Sequence, residues 1–256
     1  MKSIGAQLYT VRDALTTPEQ MNETLKSIKQ MGYDSVQLFG GGLDFIRDCA
    51  VAAKNAELEI VGVLINIKGC EAFGEELFKV CKEFGILDIG ISGGVEDCRN
   101  YGQFIERINR FAARTRAEGL SFSYHNHAQE FYKLPTGETA MDHFLVEFEK
   151  SVDFMPDTYW LQYGGYDVRY FLEQVKGRVK ILHLKDMKAT EQGPIFAEVG
   201  GGNLYFKGII KDAYEIGVEH LVVEQDRCEQ DPFECLKKSY THLKALLDAQ
   251  LLEPKK

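Results

Sequence analysis

One feature of this chain limits its fold more than any other: short apolar runs bounded by turn residues alternate with amphipathic helical segments, and the pair repeats eight times. The expected strands are 3–9, 35–39, 59–65, 86–92, 120–125, 152–155, 179–184 and 220–224. The helices expected after them lie near 18–31, 43–56, 70–84, 98–118, 140–149, 167–176, 206–216 and 232–249. A helix after every strand is the crossover that a parallel neighbour requires. Eight such units, with no composition break between them, predict one α/β domain over 1–256, a (β/α)8 or TIM barrel. A doubly wound open sheet has the same alternation but wants a glycine-rich phosphate turn after its first strand. Gln7-Leu8-Tyr9-Thr10-Val11-Arg12 stands there instead.

The punctuation supports this division. Thr17 is placed to cap the first helix, Pro18 fits its first turn, Gln20 completes a capping box and Gly32 follows its end. Met21, Leu25 and Ile28 then share one face. Gly85, Gly119, Gly177 and Gly217 each stand where a helix must stop before the next strand.

A net charge of -9 leaves no basic stripe to neutralise phosphates, so no nucleic-acid partner is expected and a small molecule is. Six cysteines without a CxxC pair read as free thiols of a reducing compartment. The first residues lack the pattern of a secretory leader, and the apolar runs fall short of the ~20 residues of a membrane span. A cytoplasmic location and no membrane partner are expected, and a homo-oligomer is left open.

In a barrel the carboxyl ends of the strands converge on one mouth, so polar residues there are candidates for chemistry. They are Gln7, Tyr9 and Arg12 after the first strand, Gln37 after the second and Asn66 after the third. Tyr124-His125-Asn126-His127 with Glu130 follows the fifth, Asp157 to Trp160 the sixth, His183 to Asp186 the seventh, and Glu224 to Arg227 the eighth. Glu130, Asp157, His183 and Glu224 are the expected ligands of one divalent metal, Mn2+ in preference to Mg2+, Co2+ or Zn2+, because hard oxygen donors with one imidazole suit such ions. Taken singly, each acid also reads as a cap or a loop residue. Together, four such groups at one mouth would be costly without a cation. Trp160 is a candidate to pave a sugar face.

These segments, in this order, resemble the xylose isomerase-like TIM barrel family, the sugar phosphate isomerase/epimerase group that includes ketose 3-epimerases and inosose dehydratases. The resemblance is carried by Ile4 to Asp13, Tyr124 to Phe131, Asp157-Thr158-Tyr159-Trp160, His183-Leu184-Lys185-Asp186, Gly200 to Leu204 and Val223 to Asp226. It implies a Glu, Asp, His, Glu metal site, matched by Glu130, Asp157, His183 and Glu224. Relatives with the first glutamate on the fifth strand place it at His125. Phe131 favours Glu130, and both residues remain candidates. Asn66 and Tyr205 depart from the family pattern.

The resemblance implies a metal-dependent sugar isomerase or epimerase that works on a ketose or keto-polyol through a metal-stabilised enediolate. Glu130 and Glu224 are the expected proton carriers, with Lys185 at the developing oxyanion. Gln7, Tyr9, His125, His127, Trp160 and Arg227 are the expected substrate contacts. A lyase, dehydrating a keto-polyol or eliminating from a 3-keto-glycoside, is the alternative. A sugar-binding or partner subunit without activity is the second.

Overall fold

The computed structural model describes residues 3–252. Its central sheet has eight parallel strands: β1 (Ser3–Gln7), β2 (Ser35–Phe39), β3 (Glu59–Leu64), β4 (Asp88–Ile91), β5 (Ser121–His125), β6 (Asp153–Met155), β7 (Ile181–Leu184) and, after a two-stranded insertion formed by β8 (Asp186–Lys188) and β9 (Ile195–Ala197), β10 (His220–Val223). The order is β6-β5-β4-β3-β2-β1-β10-β7. Parallel bridges at Phe154/Val179 and Asp157/His183 bring β6 back to β7, so the sheet is a nearly closed barrel ringed by helices.

Side chains on a strand alternate between faces, and on these strands the alternate residues stack into three layers. Ser3, Ser35, Asp88, Ser123, Asp153 and His220 form a polar floor at the amino ends. Val61, Met155, Ile181 and Val222 meet above it in a small apolar cluster separate from the main core. Gln7, Gln37, His125, His183 and Glu224 lie above that, at the carboxyl ends. Gly5 and Gly90 keep the bore narrow: a Cβ on Gly5 would sit 2.7 Å from Ser35 Oγ, and one on Gly90 2.9 Å from Met155 Cε. The outer faces of the strands and the apolar stripes of the helices make the main core, in which Met21, Leu25 and Ile28 are all buried.

Local differences from the expected elements have local causes. Helix Pro18–Met31 is capped by Thr17, but the Gln20 side chain accepts from Thr16 and does not complete a capping box. Gly32 ends that helix at φ 108, where a Cβ would press on the Tyr240 ring at 2.5 Å. The third expected helix is two, Ile67–Phe73 and Glu75–Phe84, divided at Gly74. The fourth breaks at Asn100 into Val95–Arg99 and Tyr101–Ala117. β1 ends at Gln7 because its side chain caps a 3-10 turn, Leu8–Ala14, by accepting from Tyr9 N. All six cysteines are unpaired, and among the described residues no helix is long and apolar enough to cross a membrane.

Candidate functional site

Each apolar strand of the mouth delivers one polar residue as it ends, and the barrel brings the ends together. His125, Asp157, His183 and Glu224 are all buried, and one ligand atom from each lies within 4.8 Å of the others. His183 Nδ1 is 2.9 Å from Glu224 Oε2 and 4.0 Å from Asp157 Oδ2. His125 Nε2 is 3.9 Å from Asp157 Oδ2. Asp157 divides its labour: Oδ1 accepts from Trp160 N at 3.0 Å and caps helix Thr158–Tyr163, while Oδ2 faces the centre. The cap reading and the ligand reading of this residue are therefore compatible.

Lys185 is buried with them. Its Nζ lies 3.0 Å from Asp157 Oδ2, 3.0 Å from Glu224 Oε2 and 2.8 Å from Asp226 Oδ1. The Thr158 hydroxyl fixes its backbone, accepting from Lys185 N at 2.9 Å and donating to Lys185 O at 2.7 Å. Burial pulls the ammonium down, but the three carboxylates outweigh it and hold Lys185 protonated, above its ordinary range. Burial is likewise overcome at Glu224, where Lys185 and His183 bring the carboxyl down to about 2. Burial pushes Asp226 up to about 6 against the pull of Lys185.

The orientation of His183 follows from a chain of amides. Tyr9 N–H donates to Gln7 Oε1, which turns Gln7 Nε2 towards Gln37 Oε1 at 2.6 Å. The same Gln37 oxygen lies 2.6 Å from His183 Nε2, so that ring nitrogen is the donor. Nδ1 faces both carboxylates: protonated, it donates to Glu224 at 2.9 Å; in the neutral ring it aims its lone pair at the space between Glu224 and Asp157. A lone pair aimed at two carboxylates suits a cation between them.

His125 makes no well-formed hydrogen bond at either ring nitrogen despite being wholly buried. Burial first, then His183, His127 and Lys185, keep its pKa well below the ordinary imidazole range. Burial and Lys185 bring His127 down to about 4. Neutral imidazoles are the form that binds metals. Asp157, Glu224 and Asp226 carry three negative charges against one ammonium, an excess of two that a divalent ion would balance. The donor set therefore fits such an ion.

The structure does not bring Glu130 to the other three expected ligands. Its carboxylate accepts from Tyr124 Oη at 2.7 Å and His127 N at 3.0 Å, fixing the loop after β5. His125 stands in its place, projecting from the strand itself where Glu130 lies on a following 3-10 turn. Gln7, Tyr9, His125, His127, Trp160 and Arg227 all line one cavity of about 930 Å³, together with Lys185 and Glu224. Gln7 is turned to Gln37, Arg227 is exposed, and the Asn66 side chain caps its helix by accepting from Gly69 N.

Sequence reasoning gave no role to Gln37, Asp226 or the insertion between β7 and β10. Asp186 organises that insertion by accepting from the N–H groups of Met187, Gly200, Gly202 and Leu204 at 2.8–3.1 Å. A Cβ on Gly202 would lie 2.4 Å from Asp186 Oδ1, which explains that glycine. The insertion carries Phe196 over the mouth. Position at a strand end was a signal for Gln37 and Asp226; nothing local marked Phe196.

Fold and site together define a TIM barrel with a carboxylate–imidazole centre at its C-terminal mouth. The chain belongs to the xylose isomerase-like TIM barrel family, whose model matches residues 25–246. An inosose dehydratase of Mesomycoplasma hyopneumoniae is 24% identical over 171 residues, 58% of this chain and 55% of that protein; the match thus spans about half of the relative's length. A sugar phosphate isomerase/epimerase structure from Parabacteroides distasonis superposes with a TM-score of 0.77 at 23% identity, covering 96% of this chain and 94% of the other. A Mycobacterium smegmatis protein of the same barrel type, in complex with magnesium, gives 0.75 at 13% identity, with 98% of each chain covered. The Mesomycoplasma relative is thus named a dehydratase and the Parabacteroides neighbour an isomerase/epimerase.

Proposed function

We propose that this chain is a divalent-metal-dependent isomerase or epimerase of a ketose or keto-polyol. The observation that carries the reading is the buried group of His125, Asp157, His183 and Glu224 beneath an open cavity. These four would hold the ion; two carboxylates with two imidazoles suit Mn2+ in preference to Mg2+, Co2+ or Zn2+. When bound, a divalent ion polarises a carbonyl and its neighbouring hydroxyl, which acidifies the adjoining C–H.

The chain's own groups supply the rest. Lys185, held protonated, presents its ammonium to oxygen charge that develops at the cavity floor. Asp226, pushed up to about 6, is suited to take and return a proton near neutrality, with Glu224 on the other side of Lys185. Glu130 acts through His127, whose backbone it holds, and stands outside the cavity lining. His127 and Trp160, at 5.5 Å centroid to centroid, form one wall beside the substrate hydroxyls.

A dehydratase is the second reading. Asp226, pushed up to about 6 beside Lys185, favours it as the acid for a departing hydroxyl, and the inosose dehydratase relative adds support. Proton NMR in D2O, with the Mg2+-loaded protein and a panel of ketoses and keto-polyols, separates the two. Solvent deuterium in an intact epimer or aldose is the expected result. An unsaturated ketone would replace it with the dehydratase. Neither product from any member, with metal bound, would overturn both.

A further inference from the structure

We propose, resting on the sugar-modifying reading above, that the outer half of the cavity is an aglycone subsite, so that the preferred substrate is a keto-sugar that also bears a flat aromatic group. Size is the first argument. At about 930 Å³ the cavity lies at the upper end of sites that enclose drug-sized ligands, roughly 300–1,000 Å³. It holds the volume of about 30 waters at ~30 Å³ each, whereas a hexose has only a dozen non-hydrogen atoms. A single sugar seated on the polar floor leaves most of it open.

The distribution of the lining is the second argument. The buried ionisable groups gather at the carboxyl ends of β5, β6, β7 and β10 with the Gln7 and Gln37 amides, while aromatic rings make two of the outer walls. Tyr9 and Phe39 meet edge to face at 5.4 Å on the β1–β2 side. On the other side Tyr159 stacks on Phe196 at 4.0 Å and 21°, and the Trp160 ring meets that pair edge-on at 4.9 and 5.6 Å. In the strand order β2 and β6 are four places apart round an eight-stranded barrel, hence diametrically opposite. The two aromatic walls therefore stand on opposite sides of the mouth, each a surface suited to a planar ring.

Two of the polar groups near these walls are already engaged. Asn66 Oδ1 accepts from Gly69 N at 2.8 Å. Arg12 Nη1 donates to Tyr9 O at 2.8 Å, and its guanidinium lies 4.3 Å from the Tyr9 ring centroid. An aromatic group covers these rings without burying hydroxyls, whereas a second sugar would have to pair each of its own with Trp160 Nε1, His127 Nδ1 or the rim arginines. Arg12 and Arg227 share the rim with Asp226 and Glu229, so it offers no phosphate a cradle of one sign.

Trp160 is the single tryptophan of the chain and sits in the wall, so its fluorescence reads binding directly. Matched phenyl and methyl glycosides of several common hexoses, with cellobiose alongside, are titrated into the metal-loaded protein, with calorimetry as a second readout. In at least one pair the phenyl member is expected to bind about tenfold tighter or more, a difference of 1.4 kcal/mol. Phe196→Ala, with its melting temperature checked against the parent, is expected to shrink that ratio severalfold. No phenyl preference in any pair, or cellobiose binding tighter than phenyl glucoside, overturns the subsite. The binding ratio requires no turnover, so a subsite that fails with isomerase activity intact, and an activity that fails with the phenyl preference intact, are separate results.

Discussion

The barrel has two polar layers, and they are finished differently. At the floor every polar group is answered by another. Ser3 Oγ lies 2.9 Å from Ser35 Oγ and 2.7 Å from His220 Nδ1. Ser123 donates to Asp88 at 2.5 Å, Lys180 to Ser121 at 2.8 Å and Arg116 to Asp153 at 2.8 Å. At the mouth, above the Val61, Met155, Ile181 and Val222 plug, the opposite holds. Among the described residues, both ring nitrogens of His125, His127 Nδ1, Asp157 Oδ2, Trp160 Nε1 and Gln225 Oε1 are buried without a hydrogen bond, although Asp157 Oδ2 has the Lys185 ammonium beside it. Burying a polar atom unpaired costs about 1–3 kcal/mol. The floor recovers that cost within the fold, so it stabilises; the mouth does not, so it is arranged for something that binds.

That contrast can be broken at several points. The largest effect is expected from His183→Ala, which should abolish stoichiometric Mg2+ or Mn2+ by elemental analysis and lower kcat by at least ~10²–10³-fold. Retained metal with full activity would remove the mouth's claim to be the centre. Gln37→Leu takes away the acceptor that orients His183 and should weaken metal binding about 10–100-fold, read by calorimetric titration. Gln37→Glu, which keeps an acceptor oxygen, should recover most of that loss.

A smaller effect concerns the floor and pH. Burial pushes Asp88 up to about 7, against the Ser123 hydrogen bond, while an unfolded aspartate titrates near ~3.9. Between these values the native state binds more protons than the unfolded one, so the contribution of Asp88 to stability falls as pH rises from about 4 to about 7 and is flat above. Asp88→Asn should reduce the slope of melting temperature against pH in that window and leave metal binding unchanged. An unaltered slope would mean that Asp88 is ionised in the fold at ordinary pH. The smallest change is Ser3→Ala, which removes one floor hydroxyl and should cost about 1 kcal/mol in denaturant unfolding, again without effect on metal content.

Much of this was legible in the chain itself. Eight strand–helix units gave the barrel, because a parallel strand cannot reach its neighbour without a crossover and the crossovers are written as amphipathic helices. Asp157, His183 and Glu224 were visible because each follows an apolar strand at its carboxyl end. The choice between Glu130 and His125 was not legible, since both sit within six residues of the same strand end. Only the turn Gln129–Phe131 decides that the glutamate folds back onto Tyr124 and His127 N while the histidine stays in the bore.

The sequence by itself therefore determined the architecture and the strand ends that carry chemistry, because period and punctuation are local properties of the chain. Tertiary structure decided which of those ends meet, that Lys185 lies among three carboxylates, and that Gln7 and Gln37 orient His183. It also decided that Phe39 and Phe196 line one cavity. These include contacts between residues 146 positions apart, as Gln37 and His183 are. No local pattern records such a distance; closure of the barrel sets it.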